Sequence, residues 1–137
     1  MIIYMEEACK SFVVTKNDRC ITSGRDKSFM LITPTGDWRF IRALEMGYFR
    51  YQSGRKVWEV ALTDGTFLPL RRNTTAEQIC MYSPFFIQIH QSYIINISYL
   101  TLVQDNHCVM RFPFDKTEEL LISKKYKKEI TEKFCQL

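Results

Sequence analysis

A chain of 137 residues, 46% hydrophobic and 25% charged, is long enough for one domain with a proper core and too apolar to remain disordered. Its net charge of +4 permits an anionic partner without requiring one. The longest apolar run, Tyr93 to Val103, is broken by Asn96, Ser98 and Thr101 and falls short of the roughly 18 residues of a membrane span, so no membrane insertion is expected.

Patterning is weak over the first 26 or so residues, where Phe12-Val13-Val14 reads as a short strand and Lys16-Asn17-Asp18-Arg19 as a turn. The opening stretch has no basic segment and carries Glu6 and Glu7, so a secretory signal is not expected and the location is read as cytoplasmic. From Phe29 the pattern clears. Phe29 to Ile32 reads as a strand closed by Pro34-Thr35-Gly36-Asp37, and Trp38, Phe40 and Ile41 begin the next. Tyr48 to Tyr51 continues as strand up to a turn at Ser53-Gly54. Val57 to Leu62 alternates, with Trp58 and Val60 on one face. Asp64-Gly65 is a hairpin signal joining that strand to Phe67-Leu68-Pro69-Leu70, and Pro69 places the latter on an edge or at a bulge.

Thr74-Thr75-Ala76-Glu77 fits a capping box opening a short helix over Thr75 to Met81, which Ser83-Pro84 ends. Strands resume at Phe86, at Tyr99 to Val103 and at Cys108 to Phe112, with Asp105-Asn106 as the turn between the last two and Leu120 to Ile122 as a final strand. Ser123 then caps a C-terminal helix in which Tyr126, Ile130 and Phe134 recur every four residues and dock on the sheet. The fold class read from this order is mainly β, with short, mostly antiparallel sheets, one short capped helix and a C-terminal helix. Residues 1–28 are read as an N-terminal extension and 29–137 as the domain proper.

The five cysteines are odd in number and widely spaced, and no C-x-x-C pair exists. Reduced, mostly buried thiols are expected, with no metal site and no cofactor. No nucleophile–base pair or phosphate-cradling glycine loop is visible, so no enzyme is expected. The chemistry concentrates instead in His90-Gln91-Ser92, between the apolar strand Phe86-Ile87-Gln88-Ile89 and the run Tyr93-Ile94-Ile95-Asn96. Each such polar group would cost roughly 1–3 kcal/mol if buried unpaired. The cluster therefore forms a satisfied turn or faces a polar ligand. Ser123-Lys124-Lys125-Tyr126-Lys127-Lys128 adds a basic cluster, and polar readers with clustered lysines point to a nucleic acid.

Together these pieces resemble the LytTR DNA-binding domain, over about Phe29 to Phe134. The resemblance rests on Tyr48-Phe49 before a turn, Asp64-Gly65 in a hairpin, the capped short helix, Phe86-x-x-Ile89-His90-x-Ser92-Tyr93-x-x-Asn96, and Ile122-Ser123-x-x-Tyr126-Lys127-Lys128. The His-Gln-Ser-Tyr form looks like that common in Bacteroidetes. The chain departs from the family at Arg50, where an acid is usual, and at Gln91, where arginine or asparagine is frequent. Residues 1–28 are too short for the receiver domain that usually controls such a domain.

The resemblance implies loops inserted into successive major grooves of double-stranded DNA and a role as a transcriptional regulator. It makes Arg55, Lys56, His90, Gln91, Ser92, Lys124, Lys125 and Lys127 the DNA-binding candidates, with Lys125 the best positional match for the family's basic reader and Arg71 and Arg72 weaker ones. His90 is expected to organise its loop. Gln91, solvent-facing by alternation from Ile89 and Tyr93, can pair with adenine N6 and N7. Ser92 can donate to phosphate or cap a turn. Tyr93 and Asn96 support the reading loop from the core side. The lysines sit at a helix start, where the macrodipole disfavours cations unless phosphates face them. The partners allowed are double-stranded DNA, a separate sensor or regulator protein, and a second copy on DNA. The alternative is a LytTR-like protein-interaction module with weak or lost DNA binding. RNA ranks third, because the aromatics alternate into core faces rather than offering stacking platforms.

Overall fold

The computed structural model describes residues 27–33 and 35–137. The strand read at Phe12-Val13-Val14, the turn at Lys16 to Arg19, and Cys9 and Cys20 lie outside them. The chain divides into two compact units, Met1–Leu44 and Glu45–Leu137.

In the first unit, β1 (Ser28–Ile32) and β2 (Trp38–Arg42) form an antiparallel hairpin with Met30 opposite Phe40 and Ile32 opposite Trp38. Its turn needs a left-handed residue and has one in Gly36, at φ 88°. The Gly36 amide donates to the Thr33 carbonyl at 2.9 Å, and the Asp37 amide to the Thr33 hydroxyl at 3.0 Å.

The second unit is built on a five-stranded antiparallel sheet. Its strands are β3 (Met46–Gln52), β4 (Val57–Leu62), β5 (Phe67–Pro69), β6 (Phe86–His90) and β7 (Tyr93–Asn96), in the order β5-β4-β3-β7-β6. A separate hairpin pairs β8 (Leu100–Gln104) with β9 (His107–Met110). α1 (Ala76–Tyr82) and α2 (Lys124–Glu132) complete it. As Pro69 requires, β5 is an edge strand. One core cluster gathers Tyr48, Ile89, Ile95, Cys108, Met110, Phe114, Leu120 and Ile122, with Ile130 of α2 packed on it. Gly47 sits where the β3–β4 register shifts, and a Cβ there would run into the Phe114 ring.

Several local expectations are corrected. The capping box slides one residue: Thr75 is the N-cap, its hydroxyl accepts from the Gln78 amide at 3.1 Å, and the Gln78 side chain accepts from the Thr75 amide at 3.0 Å. Thr74 instead donates its hydroxyl proton to the Arg71 carbonyl, and Glu77 lies in the first turn without closing the box. β4 does not alternate between buried and exposed positions, because Trp58 to Leu62 are all buried, Glu59 included. Leu120 to Ile122 make only one bridge, between Leu121 and His107, rather than a strand. Phe134 falls beyond the end of α2 and is exposed, so the docking face reduces to half-buried Tyr126 and Ile130. Cys108 is buried and Cys80 half-buried as expected of structural thiols, but Cys135 is exposed.

Candidate nucleic-acid interface

Strand direction determines where the polar turns lie. β3 runs towards the turn at residues 53–56, while β7 begins opposite Arg50 and β6 ends at His90. The 53–56 and 91–92 turns therefore share one end of the sheet, and the Tyr51 amide ties them by donating to the Ser92 carbonyl at 2.9 Å. The Ser123 amide donates to the Ile89 carbonyl at 2.8 Å, which brings the start of α2 to the same end. The Ile122 amide does likewise to the Asn106 carbonyl at 2.8 Å, adding the β8–β9 turn.

Each candidate can now be placed. Arg55 and Lys56 are exposed in the 53–56 turn, where Lys56 carries the left-handed backbone at φ 55°. His90 is half-buried, and its Nδ1 accepts from the Ser92 amide at 3.0 Å while its ring lies against Tyr93. That bond closes the turn, with Nδ1 as its acceptor. Gln91 is exposed at the tip and Ser92 half-buried beside it. Lys124, Lys125 and Lys127 are exposed on the first turn of α2, although Lys127 already donates to the Asn106 side chain at 3.1 Å. Ser123 occupies the N-cap position but makes no side-chain cap bond. Arg71 and Arg72 are exposed in the loop before α1.

Asn96 was expected to support the reading turn, but it lies at the other end of β7, opposite Phe86, and braces the start of β3 and the 97–99 turn instead. Asn96 is buried, so both ends of its amide need partners. Its Nδ2 donates to the Met46 carbonyl at 2.9 Å, and its Oδ1 accepts from the Ser98 amide at 3.0 Å, starting the 3-10 turn Ile97–Tyr99. Tyr93 donates its hydroxyl proton to Glu119 at 2.8 Å. Glu119 also accepts from the Tyr48 hydroxyl at 3.2 Å and from Arg50 Nη1 at 3.4 Å.

The residues that sequence reasoning missed are the two acids of this network. Buried Glu59 accepts from Arg50 Nε at 2.7 Å, Gln52 Nε2 at 3.2 Å and Arg55 Nη2 at 3.0 Å. A carboxylate taken out of water stands only with such a donor set. Arg50 bridges Glu59 to Glu119 and lays its guanidinium 3.8 Å from the centre of the Phe67 ring. The chain Arg55–Glu59–Arg50–Glu119–Tyr93 thus links the two polar turns from below. A charged residue inside the apolar run of β4 was a readable signal for Glu59. Nothing in Glu118-Glu119 singled out the second. Burial, and next the Glu119 charge, push the Tyr48 hydroxyl up to about 12. Tyr93 is raised by burial and by its hydrogen bond to Glu119.

Residues 72–134 match the family model described as the LytTr DNA-binding domain. This stretch is a LytTR domain. It holds the 91–92 turn, the β8–β9 turn and the start of α2, while β3 and β4 precede it. A solved structure shares the fold over more of the chain: the LytTr DNA-binding domain of a protein described as a methyl-accepting/DNA response regulator from Bacillus cereus. It has a TM-score of 0.55 and 17% identity, and the match covers 77% of this chain and 94% of that one. No curated protein matches the chain. Among the described residues, no group of three His, Cys, Asp or Glu side chains is placed to hold a metal, and no helix is long and apolar enough to cross a membrane.

Proposed function

We propose that the chain is a sequence-specific, double-stranded DNA-binding protein that acts in the cytoplasm as a transcriptional regulator, with the shared end of the sheet as its reading surface. The observation that carries this reading is the convergence, at that end, of exposed Gln91, the Arg55–Lys56 turn and the lysines of α2. Lysine clustered at a helix start is unfavourable against the helix dipole and becomes favourable when phosphates lie there. The roles divide by chemistry. Lys56, Lys124 and Lys125 contact phosphates, as a sequence-independent anchor. Arg55 reaches the backbone with the part of its fork that Glu59 does not occupy. Gln91 offers one donor and one acceptor and reads adenine in the major groove. His90 and Tyr93 hold the reading turn, with Ser92 at hand for a phosphate. Regulation enters through a separate sensor or regulator protein.

Selection of bound sequences from a random duplex pool, followed by affinity measurements across a salt series, tests the proposal. A reproducible motif is expected, with log K falling by about 0.9 per neutralised phosphate as log salt rises. No enriched motif together with a flat salt response would overturn it in favour of a protein-interaction module.

A further inference from the structure

The β1–β2 hairpin presents an apolar face that the DNA reading does not use. Residues alternate across the hairpin, so Met30, Ile32, Trp38 and Phe40 share one face as the cross-strand pairs Met30–Phe40 and Ile32–Trp38. All four are exposed, at 52%, 60%, 67% and 64%. Single exposed apolar residues are ordinary, but four large ones in register form a continuous patch. The opposite face is already packed, with Ile41 buried and Phe29 and Leu31 half-buried, so the face of Met30, Ile32, Trp38 and Phe40 is the one left uncovered.

We propose that this face is a homodimer interface, covered by the same face of a second copy of the chain. Three observations select that occupant. The four positions carry no charge, and the charged residue on the same face, Arg42, lies at its end opposite Ser28, so a strongly charged partner finds little to pair with across the patch itself. Four side chains of this size, half to two-thirds exposed, offer on the order of 500 Å² per copy, and a face-to-face pair buries about 1,000 Å², the threshold for a specific interface. The face is built from two cross-strand pairs that each set a flexible or branched aliphatic side chain against an aromatic one, so a two-fold axis can bring aliphatic groups of one copy onto rings of the other. The inference does not depend on DNA binding and can fail separately from it.

The experiment uses the full 137-residue chain without DNA. Light scattering across a dilution series gives the mass, and hydroxyl-radical footprinting of the same samples reads Met30, Trp38 and Phe40 by mass spectrometry. The expected result is a concentration-dependent dimer in which oxidation at these three residues falls several-fold as the dimer forms, while exposed Met81 is unchanged. Trp38→Ser and Ile32→Asp should each move the dimer to at least tenfold higher concentration. A monomer at every concentration overturns the proposal. Constant protection in that monomer would mean that the chain covers the face itself, and constant oxidation that nothing covers it. A dimer that leaves the three residues as reactive as in the monomer also overturns it, by placing the contact elsewhere. The footprint needs no mutation, so the outcome stands even if a variant fails to fold.

Discussion

At the scale of single residues, Gln91 and Glu59 divide reading from support. Gln91 is exposed at the turn tip and holds none of the hydrogen bonds that shape the turn, which run through His90, Ser92 and Tyr51 instead. Gln91→Ala should therefore keep the fold and the salt-sensitive, nonspecific affinity while losing about 1–3 kcal/mol on the preferred site. The check is a comparison of selected-site logos, in which the variant should lose preference at one adenine and nowhere else. Identical logos would make Gln91 a plain surface residue and pass base reading to Lys125. Glu59 is the opposite case, because it is itself buried and is the shared acceptor of Arg50, Gln52 and Arg55. Glu59→Ala removes the shared acceptor of Arg50, Gln52 and Arg55, leaves Arg50 paired with Glu119 alone, and should cost on the order of 1–3 kcal/mol of stability, seen as a lower urea midpoint. A shift within a few tenths of a kcal/mol would mean that the network is idle.

Two elements are open to equally direct tests. The start of α1 depends on Thr75 rather than Thr74, since only the Thr75 hydroxyl accepts from a helix-end amide. Thr75→Ala should cost about 1 kcal/mol by loss of the cap, and Thr74→Ala distinctly less. Equal costs in thermal unfolding would show that the box is not fixed at Thr75. β3 depends on the missing side chain at Gly47, which lets the Phe114 ring close over the strand. Gly47→Ala should force the ring off its rotamer and cost about 1–3 kcal/mol, by overpacking rather than by backbone strain.

The molecule as a whole should weaken in alkali. Burial, with the Glu119 charge second, raises Tyr48 from its ordinary 10.0 to about 12, and burial raises Cys108 from 9.0 to about 11. Both groups keep their protons more tightly when folded than when unfolded. Their contribution to stability is therefore complete below about pH 9 and is lost as pH climbs towards 12. Urea midpoints measured from pH 8 to pH 11.5 should fall steadily above pH 9, and a flat profile would contradict the burial of both side chains. The buried Cys108 thiol should also stay unlabelled at neutral pH under conditions that label exposed Cys135.

Much of this protein is written locally. Asp64-Gly65 and Asp105-Asn106 are turns because aspartate, asparagine and glycine tolerate the left-handed backbone that Gly65, Asp105 and Asn106 adopt. Ser83-Pro84 ends a helix and Pro69 selects an edge, because each acts on its own backbone. The His90-Gln91-Ser92 segment and the lysines after Ser123 stood out for the same reason: they interrupt local patterns, and their order carried the resemblance to the LytTR domain. Only the tertiary structure decided what these segments meet. Strand order puts residues 55, 91 and 124 at one end of the sheet, and no spacing along the chain encodes that. Arg50 and Tyr48 find Glu119 across 69 and 71 residues, whereas buried Glu59 in the middle of β4 takes its donors Arg50, Gln52 and Arg55 from the neighbouring strand and its turn. Local preference acts over a few bonds, whereas burial and ion pairing depend on which distant segments the folded sheet brings into contact.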